Sequence, residues 1–255
     1  MKDEYDVPAL KRAHDLLDIL SSATRPVKAS VLADKTGMSR STLYLLLDAL
    51  ERRKWIEKRA DGYIIGLTLF EFGNAYVRDD RLLSAFRRES AVFVLKHNEV
   101  VQLAVLDGGE VVYIAREDAP RPVRLVSDLG SRLPAHCCAL GKALLAGLGD
   151  DEITALLPAR LPPITEHTRT RRSDLLVDLA SIRETGLAVE REESTIGLTC
   201  FAAFVGVTPL GKRVAVSCSV PLARMDRRRE KQLAVSVVGM ADRIGRAMQT
   251  RGGVV

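Results

Sequence analysis

The sequence predicts an α+β protein in two parts, and three observations carry that prediction. Residues 1–66 hold three short stretches with apolar residues at three- and four-residue steps, followed by an alternating segment about Asp61-Gly62. Further on, β-rich runs flank Asp107-Gly108-Gly109, a turn that marks antiparallel pairing. Helical and β-rich runs then alternate to the C-terminus. At 255 residues, 47% hydrophobic and 28% charged, the chain has enough apolar surface for two ordinary cores.

The first helix is expected over Pro8–Ser22, where Leu10, Ala13, Leu16, Leu17 and Leu20 share one face. Pro8 suits a first helical turn, and Thr24-Arg25-Pro26 ends the segment. A second helix fits Ala29–Lys35, burying Val31 and Leu32 and stopping at Thr36-Gly37. A third opens at SRSTLYLLLDALERR with Ser39 as N-cap. Two helices joined by a glycine-containing turn form a helix-turn-helix pattern, and WIEKRADGYIIG adds a hairpin, the wing.

Periodicity assigns the faces of the third helix. Leu43, Leu46, Leu47 and Leu50 are expected inside, leaving Ser41, Leu45, Asp48 and Arg52 outside, flanked by Arg40 and Tyr44. Arg40, Ser41 and Tyr44 are positioned for base edges or phosphates in a major groove. Lys28, Ser30, Lys58 and Arg59 are candidates for phosphate contacts, and Ser39, Thr42 and Leu45 complete the expected DNA-binding set. Charge does not single out this region: residues 1–66 carry twelve Lys or Arg against ten Asp or Glu, within a net +5.

After the wing, residues 67–80 read as a linker helix with a weak point at Arg78-Asp79-Asp80, and residues 81–255 as a second domain. Leu69, Phe70 and Phe72, then Leu82, Leu83 and Phe86, give this stretch its apolar stripes. A hairpin follows over VVQLAVLDGGEVVYIARE, then extended structure over RPVRLVSDLGSRLP. Helices fit Ala139–Leu148, Asp151–Leu157 and Leu175–Glu184. Strands fit Cys200–Thr208 and Arg213–Val220, before a last helix from Met225 to Thr250.

The stretch RLPAHCCALGKALLAG invites a chemical reading. A phosphate-binding loop needs Gly five residues before the Gly of Gly-Lys and Ser or Thr after it; here those places hold His136 and Ala143. Adjacent Cys137-Cys138 lack the two- to four-residue spacing of zinc ligands. No Ser-x-x-Lys or Gly-x-Ser-x-Gly nucleophile motif occurs. The expectation is a protein without catalytic, metal or cofactor sites. With mixed charges at the N-terminus, no long apolar run and four cysteines, it is expected in the cytoplasm and off the membrane.

The chain closely resembles the IclR-type (isocitrate lyase regulator-like) bacterial transcription factors over almost its whole length. LKRAHDLLDIL is similar to the first helix, VLADKTGMSRSTLYLLLDALERRKWIEK to the helix-turn-helix and wing, and GYIIGLTLFEFG to the wing exit and linker. SRLPAHCCALGKALLA, IRETGLAVEREESTIGLTCFAA and VAVSCSVP resemble the effector-domain signatures, in order. The resemblance implies a winged helix-turn-helix, a linker helix and a GAF-like domain that binds a small organic molecule. It also implies double-stranded DNA with a palindromic operator as partner, a homodimer or a dimer-of-dimers tetramer, and control of a catabolic operon as repressor or activator.

Carried over residue by residue, the resemblance places Cys200, Ser217 and Ser219 in an effector pocket, with Glu190 beside them. Leu129, Leu140 and Leu144 would supply apolar wall, and Gly141 a close backbone approach at a helix start suited to an anion. An organic acid, aromatic or hydroxylated, is therefore the expected effector. Two positions depart from the family: Leu45 stands where members often carry Arg, and Glu190 where they typically carry Asp. The alternative reading is a small-molecule enzyme or a thiol-based redox sensor fused to a DNA-binding domain.

Overall fold

The structure, a computed structural model, describes residues 7–76, 80–120 and 127–249. Residues 77–79 of the expected linker, residues 121–126 of the expected extended segment and Thr250 at the expected end of the last helix lie outside these. The chain divides into two compact units, Met1–Arg78 and Asp79–Val255.

In the first unit, α1 (Pro8–Ser21), α2 (Ala29–Thr36) and α3 (Arg40–Arg52) precede a hairpin of β1 (Ile56–Arg59) and β2 (Gly62–Ile65). Leu16, Leu32, Leu43, Leu47 and Leu50 form its core with Ile56 and Tyr63. Each such leucine contributes roughly 1.5–3 kcal/mol relative to exposure. Two expected core residues lie outside. Leu10 is exposed because the whole first turn of α1 extends past the core, and Val31 is exposed because Leu32, about 100° round the helix, takes the inward position.

The wing is more firmly tied than a free hairpin. Val27 and Tyr63 exchange two backbone hydrogen bonds, each 2.9 Å, so the segment before α2 pairs with β2. Gly62 makes this possible: at φ 154° a Cβ there would lie 2.6 Å from the Val27 carbonyl carbon. Helix α4 (Leu67–Tyr76) follows within this unit, and the Trp55 and Phe72 rings stand nearly perpendicular with centroids 6.2 Å apart.

The second unit begins at α5 (Asp80–His97) and is built on one antiparallel six-stranded sheet. Its strands are β3 (Val100–Asp107), β4 (Glu110–Glu117), β5 (Arg132–Pro134), β6 (Ala188–Arg191), β7 (Leu198–Val207) and β8 (Arg213–Pro221), ordered β5-β4-β3-β8-β7-β6. Alternation along the strands sends large residues one way and small ones the other. Val101, Leu103 and Val105, with Val214 and Val216, pack beneath α5 and α9 (Arg227–Gln249). Ala104, Ala188, Ala202 and Ala215 face α6 (Ala139–Ala146), α7 (Asp150–Leu156) and α8 (Arg172–Thr185). Those alanines let α6 approach the sheet closely, and every residue of α6 is buried.

Strand β6 is the element that sequence periodicity misses. Four residues between a helix and a polar loop carry too short a pattern to register, yet β6 forms the sheet edge by pairing with β7. A buried carboxylate was equally silent: Glu99, fully buried just before β3, is held by Arg229 at 2.6 Å and Arg224 at 3.4 Å.

Candidate functional site

Two surfaces follow from this fold, one in each unit. In the first unit, α3 begins with Ser39 as N-cap, its Oγ accepting the Thr42 N–H at 3.3 Å. The Ser41 and Thr42 hydroxyls lie 3.1 and 3.0 Å from the same Oγ, so three hydroxyls gather where the helix dipole is positive. Arg40, Tyr44 and Leu45 project outward beside them, Leu45 being 72% exposed. Farther along, Asp48 and Arg52 pair with each other at 2.6 Å. Lys28, Ser30, Lys58 and Arg59 are all exposed; Arg59 is neutralised in part by Glu57 at 2.6 Å.

In the second unit a small cavity lies between the sheet and the start of α6. Gln102, Tyr113, Leu198, Cys200, Ser217 and Ser219 line it from the strands, Cys138, Ala139 and Leu140 from the start of α6, and Ser194 and Thr195 from the β6–β7 loop, with Ser127 and Leu133 closing it. Register explains how distant residues meet. Glu190, Cys200 and Ser219 stand opposite one another on β6, β7 and β8, while Gln102 faces Ser217 across β3 and β8. The polar groups are already engaged: Gln102 Nε2 donates to Ser127 Oγ at 3.0 Å, and Cys200 Sγ to Ser219 Oγ at 3.2 Å.

Among the described residues none that lines it is basic. Donors to a negative group are hydroxyls, the Gln102 amide and the first-turn N–H groups of Ala139 and Leu140, which precede the intrahelical ladder. The Gly141 N–H instead meets Cys138 Sγ at 3.4 Å, a sulfur N-cap. The cavity measures about 20 Å³, room for about one water. A larger open groove of about 580 Å³ lies at the turn end of the sheet, where Asp107 is paired with Arg132 and no comparable set of hydroxyls converges.

The remaining expected pocket residues fall elsewhere. Leu129 is 64% exposed in a turn and is not in the lining, and Leu144 is buried in the core between α6 and the sheet. Gly141 does permit a close approach, but of the protein to itself: a Cβ there would lie 2.1 Å from the Ala135 carbonyl oxygen. Glu190 sits behind the lining, its carboxylate accepting the Glu193 N–H at 2.9 Å and the Ser194 hydroxyl at 3.1 Å. Burial raises its pKa above the ordinary 4.5.

Lys142 was visible in the sequence only as half of a failed phosphate-loop motif. Its side chain is 1% exposed, and its ammonium pairs with Glu193 and with Asp178, the latter at 3.1 Å. Asp178 in turn pairs with Arg169. Thr165 and Thr168 donate to the Glu192 and Glu193 carbonyls at 2.6 and 2.7 Å, strapping the β6–β7 loop from outside.

The thiols are poor nucleophiles. Burial pushes Cys137 up to about 12, Cys138 higher still and Cys200 well above its ordinary value, so all stay protonated near neutral pH. His136 Nε2 donates to the Pro162 carbonyl at 3.0 Å. Among the described residues no group of three or more His, Cys, Asp or Glu side chains is placed to hold a metal ion. Nor is any helix there long and apolar enough to cross a membrane.

Comparisons with known proteins agree with this architecture. Residues 9–60 match the IclR helix-turn-helix domain, and residues 75–246 match the C-terminal domain of bacterial transcriptional regulator IclR. An HTH-type transcriptional regulator of Mycobacterium tuberculosis is 32% identical over 93% of this chain and 91% of its own. The crystal structure of the Thermotoga maritima IclR superposes with a TM-score of 0.76 at 27% identity, covering 94% of this chain and 98% of that one. An IclR homologue from Microbacterium hydrocarbonoxydans, crystallised with 4-hydroxybenzoate, shares the fold at a TM-score of 0.83 and 21% identity, over 94% and 99% of the two chains. With a helix-turn-helix for DNA at one end and the family's α/β effector domain at the other, the chain belongs to the IclR family of bacterial transcriptional regulators.

Proposed function

We propose that this regulator binds a palindromic operator through α3 and the wing, and that a small organic acid in the second-unit cavity changes that affinity. It acts by binding, without turnover, as a cytoplasmic protein controlling a catabolic operon. The supporting observation is the cavity itself: hydroxyl, amide and helix-start donors converge on one point, with no basic side chain among the described lining residues. Such donors suit a carboxylate whose charge is met by several hydrogen bonds. The Microbacterium homologue was crystallised in complex with 4-hydroxybenzoate, an aromatic acid, which supports that class of effector for this chain.

On the DNA side, Arg40, Ser41, Tyr44 and Leu45 address base edges, Leu45 offering an apolar contact to a thymine methyl. Ser39, Thr42, Lys28, Ser30, Lys58 and Arg59 address phosphates. Residues 1–66 form the DNA-binding domain, 67–80 the linker and 81–255 the effector domain. A homodimer supplies two such surfaces for the half-sites, and the exposed Leu67, Phe70 and Phe72 of α4 support dimerisation through this part of the chain.

Calorimetry against a panel of carboxylic acids, with gel shifts on the promoter region beside the gene, tests the proposal. Expected are saturable binding of one acid and a roughly five- to 150-fold change in operator affinity. Log affinity should fall with log salt at a slope of about −0.9 per neutralised phosphate. Binding of uncharged ligands alone, or equal affinity for all DNA sequences, would overturn it.

A further inference from the structure

We propose that Lys142, Glu193 and Asp178 form a latch that holds the β6–β7 loop closed over the cavity, making Lys142 and Glu193 the residues that control entry. The inference deepens the reading of this cavity as the effector site and rests on it for its biological role. Its physical basis is independent of which molecule enters.

The cavity of about 20 Å³ has room for about one water, too little for an aromatic ring bearing a carboxylate, so binding such an acid requires a wall to move. The sheet floor cannot easily yield, because both of its faces are packed. Helix α6 cannot either: all eight of its residues are buried, and Gly141 is pressed against Ala135. The third wall is different. Ser194 and Thr195 reach the cavity from a loop whose tip, Ile196 and Gly197, is exposed. Glu192, at its start, holds a left-handed backbone of φ 60° that a residue with a side chain adopts at a cost.

Among the described residues, the charged tie between this loop and α6 is the Lys142–Glu193 pair, anchored from α8 by Asp178. An ammonium so fully buried is stable only while its carboxylate partners are in place. The closed loop therefore keeps Lys142 paired, and Lys142 keeps the loop closed. Moving Glu193 away also disturbs its N–H bond to Glu190, linking the latch to the Glu190–Cys200–Ser219 row across the sheet.

Thiol accessibility reads the latch without any effector. Cys138 and Cys200 line the cavity, whereas Cys218 is buried in the other core, beneath α5 and α9. The full-length protein and its Glu193→Gln variant, which keeps the side-chain volume, would be treated with N-ethylmaleimide and each cysteine mapped by mass spectrometry. Glu193→Gln should label Cys138 and Cys200 on the order of tenfold faster, with Cys218 unchanged. Lys142→Met should do the same where it folds; Glu193→Gln carries the test alone where it does not. Unchanged rates at Cys138 and Cys200, or acceleration shared equally by Cys218, would overturn the latch. Since no acid is present in the labelling, failure to bind any acid in calorimetry sinks the effector reading and leaves this result standing.

Discussion

In α3 the side chains turned outward fall within thirteen consecutive residues, and one helical period decides which they are. The cavity draws its lining from residues between Gln102 and Ser219, carried by five strands, a helix start and loops. The first surface is therefore local and tolerant: removing an exposed side chain leaves the helix intact. The second is global, because each lining group depends on sheet register and on how closely α6 lies against the sheet. A binding surface built on one element varies by single substitutions, whereas a cavity built between elements carries part of the domain's stability.

The largest test of that contrast is Gly141→Val. Its side chain would have to displace the Ala135 backbone, so the second unit should lose about 3 kcal/mol or more of stability, seen as a lowered unfolding midpoint. An unchanged midpoint would show that α6 is free to shift. Arg40→Ala, by comparison, should leave stability within about 0.5 kcal/mol and weaken operator binding by about 1–3 kcal/mol, measured by gel shift. If affinity falls equally on operator and random DNA, Arg40 is a phosphate contact instead.

Ser217→Ala removes one cavity hydroxyl, and about 1 kcal/mol of acid binding should go with it, with DNA affinity in the absence of acid unaltered. Titration calorimetry checks the first part and gel shift the second. The smallest effect concerns pH. Burial raises the Glu190 carboxyl above its ordinary 4.5, so the native state keeps this proton to higher pH than the unfolded chain does. Its contribution to stability is present below 4.5 and is lost as pH rises through the raised native value. Glu190→Gln should remove that loss, so urea midpoints of variant and wild type should diverge toward neutral pH in the variant's favour. A constant offset would show that the ionised carboxylate is not penalised.

The helix-turn-helix was legible because its signals are short-range: the Ser39 cap, the Gly37 turn and the Asp61-Gly62 hairpin each lie within a few residues of what they specify. Cys200, Ser217 and Ser219 were named on the family resemblance, and a two-residue spacing within β8 showed no more than that both serines share a face. Gln102 and Tyr113 gave no sign, since polar residues in β-rich runs look alike whichever way they point. Leu129 and Leu144 were assigned from apolarity, which does not distinguish cavity wall from exposed turn or solid core.

What the residues alone determined, then, is local: helix faces, caps, turns and the two-part division, all governed by periodicity over a few ångströms of chain. Tertiary structure decided the rest. Only sheet register sets Glu190, Cys200 and Ser219 in one row, and only the packing of α6 on alanines brings Lys142 to Glu193 and Asp178. Hydrogen bonds and ion pairs act over about 3 Å, and no spacing in the sequence measures a distance between strands that lie a hundred residues apart.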